Sequence, residues 1–128
     1  MSTRPRRSKG EEDQTARYAE VFSALGNDSR LRIVRLLLAA HPKGMVVGDI
    51  QAELGIPAST LSHHLDRLRA ERLLTVRREG TFLWYAADTE TLEELLGFLF
   101  AECCSRNKAV SKDALVQICG IDSKRRRS

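Results

Sequence analysis

Apolar residues recur along this chain with a helical period in most places and with a strand-like pattern in one. In residues 14–25, Tyr18, Val21, Phe22 and Leu25 fall on one side of a helix, with Asp13 placed to cap its start and Gly26 to end it. A second stripe, Leu31, Val34, Leu37 and Leu38, follows a cap at Asn27 or Asp28 and closes at Pro42 and Gly44. A short third helix spans residues 47–54, Gly55 supplies a turn, and Ile56 packs into it. The fourth runs from Ala58 or Ser59 to Glu71 and turns Leu61, Leu65 and Leu68 inward. Residues 73–78 and 81–87 are rich in β-formers and are joined through Glu79 and Gly80, which predicts a hairpin. A fifth helix begins near Asp88 or Thr89 and carries the strongest stripe, Leu92, Leu95, Leu96, Leu99 and Phe100. Beyond it, Ala114, Leu115 and Ile118 predict a last short helix ending at Gly120.

This order, ααααββα, is that of a winged helix-turn-helix, a mostly helical α+β fold. It offers the fourth helix to a DNA major groove and the hairpin to the neighbouring phosphates. Residues 13–105 form the DNA-binding and dimerisation domain in this reading. Residues 1–12 are expected to be a disordered basic arm, and residues 106–128 a C-terminal extension with a basic tail. With 128 residues and 42% apolar content, the core is modest. The long stripe of the fifth helix therefore predicts a partner subunit, so that the terminal helices dimerise the chain.

Charge sharpens the picture. Arg4, Arg6, Arg7 and Lys9 at one end and Lys124 to Arg127 against Asp122 at the other contribute seven positive charges. The whole chain carries only +4, so residues 11–120 are at −3. The basic character belongs to the tails, which solvate readily and attract phosphate without sequence preference. Inside the body, Arg67, Arg69, Arg72, Arg77 and Arg78 gather around the proposed reading head. Asp88, Glu90, Glu93, Glu94 and Glu102 gather on the fifth helix, where they would repel DNA. No run of about 18 apolar residues predicts a membrane span. The charged N-terminus lacks the apolar stretch of a secretory signal, so the cytoplasm is the expected location.

With the three leucines inward, Ser59, Thr60, Ser62 and His63 lie on the outer side of the fourth helix, with Arg67 in reach of phosphate or base. His64 either packs or touches a phosphate. The two histidines point about 100° apart, so they do not share a metal ion. His41 serves as a C-terminal dipole partner of the second helix. Arg77, Arg78 and Thr81 bring the wing to the DNA backbone. No Ser-His-acid set, phosphate-cradling glycine loop or His-Glu metal motif is present, so no enzyme is expected.

Three segments together carry a family resemblance: FSALGNDSRLRIVRLL at 22–37, LSHHLDRLRAERLL at 61–74, and RREG at 77–80 with the aromatic strand after it. They resemble the ArsR (ArsR/SmtB) repressors, small dimeric transcription factors that respond to metals and metalloids. The resemblance covers residues 18–100. It implies a homodimer on double-stranded operator DNA, with the first and fifth helices at the dimer interface. Two family metal positions are missing. Where arsenic- and lead-type members carry Cys-Val-Cys at the third helix, this chain reads GMVVGDI, with Val46 and Gly48 at the cysteine positions. Zinc-type members place Asp and His along the fifth helix, and residues 88–105 contain no His. Carboxylates alone would show little zinc preference.

What remains is Cys103 and Cys104 on the fifth helix and Cys119 beyond it, similar to some arsenite-responsive members. Trivalent arsenic is soft and prefers thiolate sulfur, and antimony(III) behaves alike. Three thiolates suit arsenite, and two suit methylarsenite. Two other readings of the same residues stay open. The cysteines follow Leu99, Phe100 and Leu115 by four, as buried packing residues would, or they form a thiol redox or reactive-sulfur switch without metal. An effector-independent DNA-binding module is the remaining alternative.

Overall fold

A computed structural model describes residues 9–106, with side chains described for 14–101. The elements run α1 (Lys9–Leu25), α2 (Asp28–Ala39), β1 (Met45–Val46), α3 (Val47–Leu54), α4 (Ala58–Ala70), β2 (Leu74–Glu79), β3 (Phe82–Ala87) and α5 (Thr89–Arg106). This is the winged helix-turn-helix the pattern predicts, with one addition. Met45 and Val46 pair antiparallel with Tyr85 and Trp84, so the wing is a three-stranded sheet in the order β1-β3-β2. A two-residue strand has no periodicity to read.

The core is built where the stripes of α1 to α4 converge. Val21, Ile33, Leu37, Ile50, Leu61, Leu65, Leu68 and Leu73 are fully buried. Each such aliphatic side chain contributes about 1.5–3 kcal/mol by leaving water. The inward face of α2 differs from expectation. Ile33, Val34 and Leu37 are buried, while Leu31 and Leu38 are 46% and 39% exposed. This helix holds more leucine, isoleucine and valine than one face can take, and Leu31 and Leu38 lie on its flank. On α1, likewise, Ala24 joins Tyr18 and Val21 in the core, and Phe22 stays 39% exposed.

Local chemistry sets the boundaries. Asn27 caps α2 by accepting from the Arg30 N–H at 3.0 Å, and Asp88 caps α5 by accepting from the Thr91 N–H at 3.1 Å. Helix α1 begins at Lys9, so Asp13 lies within it instead of capping it; residues 1–8 of the expected arm lie outside the described residues. Helix α4 ends in a Schellman motif: the Arg72 N–H donates to Arg69 O at 2.9 Å and the Leu73 N–H to Leu68 O at 3.0 Å. Arg72 sits there at φ 60°, a left-handed position that costs a non-glycine residue about 1 kcal/mol. Gly44, at φ 81°, lies so close to β3 that a Cβ would overlap the Tyr85 carbonyl. The wing turn is Gly80-Thr81, since Glu79 pairs with Phe82, one residue later than the sequence suggests.

The chain divides into two compact units at Leu95/Leu96, inside α5. The first unit holds the reading head. The described part of the second is the remainder of α5, with Leu96 and Leu99 exposed at 48% and 53%. The predicted helix around residues 114–120 lies outside the described residues.

Candidate nucleic-acid interface

The turn between α3 and α4 sets the reading helix. Gly55 adopts the left-handed conformation at φ 65° and donates its N–H to Gln51 O at 2.8 Å, ending α3. Pro57 then occupies the N-cap of α4 with no side-chain hydrogen bond, and the first turn of α4 carries no acidic residue. The positive end of that helix dipole is left to an external anion such as phosphate.

Leu61, Leu65 and Leu68 pin α4 to the core, so its opposite side is fixed in solvent. Ser59, Thr60, Ser62 and His63 are exposed there, as the leucine spacing predicts. Ser59, Ser62 and His63 stand at i, i+3 and i+4, and exposed Asp66 continues the row at i+7. Sequence reasoning passed over Asp66, although the same spacing places it. As an acceptor it favours a cytosine amino group and disfavours phosphate.

On α4, two residues of the expected DNA set have protein partners. His64 is half-buried, and Arg30 Nη1 lies 3.4 Å from its Nδ1 while Arg30 Nε donates to Ala24 O at 2.6 Å. Burial, and then the charges of Arg30 and His63, push the His64 imidazole below its ordinary pKa. His64 thus bridges α4 to the start of α2, in a setting that favours its neutral form. The Arg67 guanidinium reaches Glu20 on α1 and Glu71 at the C-cap of α4, both at 3.4 Å. Its i,i+4 relation to Glu71 was visible in the sequence; its pairing with Glu20 depends on the fold.

On the wing, Arg77 donates from Nη1 to the Lys43 carbonyl at 2.8 Å, pairs with Glu79 at 3.4 Å, and stacks over Trp84 at 5.3 Å. Lys43 Nζ also lies 5.1 Å from the Trp84 ring centre. Arg78, one residue on and opposite Leu83, is exposed and has no partner among the described residues. Thr81 is exposed in the turn. His41 lies just past the C-terminal end of α2 and is exposed.

Cys103 and Cys104 fall in the last turn of α5, a helix that ends at Arg106. Their side chains and all of Cys119 lie outside the described residues. Among the described residues no group of three metal-binding side chains occurs, and no helix is long and apolar enough to cross a membrane.

Comparison with known proteins places this architecture. A helix-turn-helix domain model matches residues 25–77. A candidate arsenical resistance operon repressor, ArsR2 of Halobacterium salinarum, is 39% identical over 84 residues, covering 66% of this chain and 69% of that protein. The chain belongs to the ArsR/SmtB family of transcriptional regulators. Solved relatives share the fold. The homodimeric winged helix-turn-helix domain of Mb0332 from Mycobacterium bovis is 27% identical with a TM-score of 0.60, covering 78% of this chain and 92% of that one. Reduced HlyU from Vibrio cholerae is 30% identical with a TM-score of 0.57, covering 73% and 98%. As an ArsR/SmtB protein the chain is a DNA-binding transcriptional repressor and not an enzyme.

Proposed function

We propose that the protein is a homodimeric repressor that releases its operator when Cys103, Cys104 and Cys119 capture a trivalent arsenical or antimony(III). The observation that carries this reading is the position of the vicinal pair. It lies in the last turn of α5, on the helix whose Leu96 and Leu99 are exposed. A second copy covering that stripe would place the cysteines beside the dimer interface, and a relative of known structure is homodimeric. The likeness to ArsR2 supports the arsenical as effector.

The chemistry balances without any oxidant. Arsenite, As(OH)₃, meets three thiols: three arsenic–sulfur bonds form, three arsenic–oxygen bonds break, and each thiol proton leaves with a hydroxide as water. Methylarsenite exchanges two hydroxides on two thiols in the same way, which suits the vicinal pair alone. Thiolate character speeds the exchange. The captured ion draws the two sulfurs together at the dimerising helix. DNA is released because the bound form favours a dimer in which the two α4 helices no longer sit one DNA turn apart.

The test is DNA release measured by fluorescence anisotropy under reducing conditions, with arsenite, antimonite, methylarsenite, zinc and peroxide. Arsenite is expected to release the wild type, and Cys103→Ser and Cys104→Ser to stay bound. Cys119→Ser separates the three-sulfur site, in which arsenite response falls, from the two-sulfur site, in which methylarsenite alone still acts. Release by peroxide and not by arsenite would instead establish a redox repressor, a second reading favoured by the likeness to a regulator solved in a reduced form. Unchanged arsenite release in Cys103→Ser and Cys104→Ser would overturn the proposed site.

A further inference from the structure

Arg77 stands on the wing of a DNA-binding protein, and its charge suggests a phosphate contact. Its guanidinium is committed elsewhere. One nitrogen donates to the Lys43 carbonyl at 2.8 Å, another meets Glu79 at 3.4 Å, and the plane lies 5.3 Å from the centre of Trp84. Lys43 belongs to the turn between α2 and β1, and its own ammonium sits 5.1 Å from the same ring. Trp84 is directly opposite Arg77 on β3 and opposite Val46 on β1. Strands β2 and β3 and the turn before β1 therefore meet at one guanidinium.

We infer that Arg77 is a positioning residue: with Trp84 and the Lys43 carbonyl it forms a strut that fixes the wing's angle to the helical body, leaving Arg78 as the wing's phosphate contact. Three features carry this. A planar fork is needed to donate to a carbonyl while stacking on an indole and meeting a carboxylate, and lysine cannot do all three. The partner carboxylate, Glu79, lies beside the wing turn, where its charge would repel DNA; pairing with Arg77 offsets it. Arg78 alternates to the other face of β2, opposite Leu83, and is free among the described residues to meet phosphate. The base of the hairpin is packed on the helices through Leu74, Tyr85, Ala86 and Ala87, and the strut braces it further out, at Arg77 and Trp84. Loss of the strut lets the wing swing and so weakens every phosphate contact it makes without removing one.

The inference rests on the DNA-binding reading of the wing, and its test separates the two. The probe is a duplex recovered by in vitro selection with the wild type, and affinity is read over a salt series. Arg77→Lys keeps the charge and Trp84→Leu removes none. Each is expected to weaken binding about fivefold with the salt slope unchanged, whereas Arg78→Ala lowers the slope by about one. Trp84 is the only tryptophan in the chain, so acrylamide quenching of its emission reads the strut without DNA. Quenching should rise in Arg77→Lys and stay at the wild-type value in Arg78→Ala, with thermal melts confirming that both are folded. If Arg77→Lys binds as the wild type does while Arg77→Ala loses one unit of slope, Arg77 is a phosphate contact and the inference is overturned. If the wild type captures no duplex, the DNA-binding reading of the wing falls, while the quenching comparison still decides the strut.

Discussion

The fourth and fifth helices use leucine in opposite ways. In α4, Leu61, Leu65 and Leu68 are each buried within the protomer, and the polar row on the other side is left for a ligand. In α5 the stripe is just as regular, yet Leu95 is buried while Leu96 and Leu99 remain 48% and 53% exposed. Equal periodicity thus marks two different fates among the described residues: the α4 leucines are buried, and Leu96 and Leu99 of α5 stay exposed. In the proposed dimer, a head completed by one chain and a helix completed by a second are the parts that ligand control would need. A change at the subunit contact can then move intact reading heads without unfolding them.

The comparison is broken most severely at Gly44, where the head is locked to the wing. Gly44→Ala would place a methyl group into the Tyr85 carbonyl at a left-handed position, and is expected to cost about 3 kcal/mol or more, read as a lower urea midpoint. At α5 the effect should fall on assembly and not on folding. Leu96→Glu combined with Leu99→Glu is expected to raise the dimer dissociation constant roughly 100-fold or more in sedimentation experiments, since two leucines would each lose about 1.5–3 kcal/mol of burial. The melting of the dilute protomer should change little. A dimer that survives both substitutions would remove the contrast between the two helices.

The smallest effect sharpens the head. His64 is held below its ordinary pKa in the fold, so the unfolded chain takes up a proton first as pH falls. Stability from this group is therefore complete above the unfolded histidine value of about 6.5 and is lost as pH drops below it. His64→Gln, which keeps an acceptor for Arg30 and cannot titrate, should flatten that part of the pH–stability curve. An unchanged slope between pH 7 and 5.5 would show that burial beside Arg30 does not lower the His64 pKa.

Much of the site was legible beforehand because period and position fix it. Once Leu61, Leu65 and Leu68 point inward, Ser59, Thr60, Ser62 and His63 must point outward, and the structure exposes all four. Asp66 obeyed the same rule and was passed over. His64, Arg67 and Arg77 were not legible in the same way, because their partners are remote in sequence: Arg30, Glu20 and Lys43 are 34, 47 and 34 residues away. A flexible charged side chain can meet whatever the fold brings near it, and local spacing does not say what that is.

The sequence by itself determined the order of the five helices and the hairpin, the Gly55 turn and the outward row of α4, since each follows from side-chain period or from a conformation that one residue type favours. Only the tertiary structure decided which leucines of α2 and α5 are covered, that Met45 and Val46 join the wing, and where the long cationic side chains end. Burial and ion pairing depend on what lies across a gap in space, and neighbours along the chain carry no record of it.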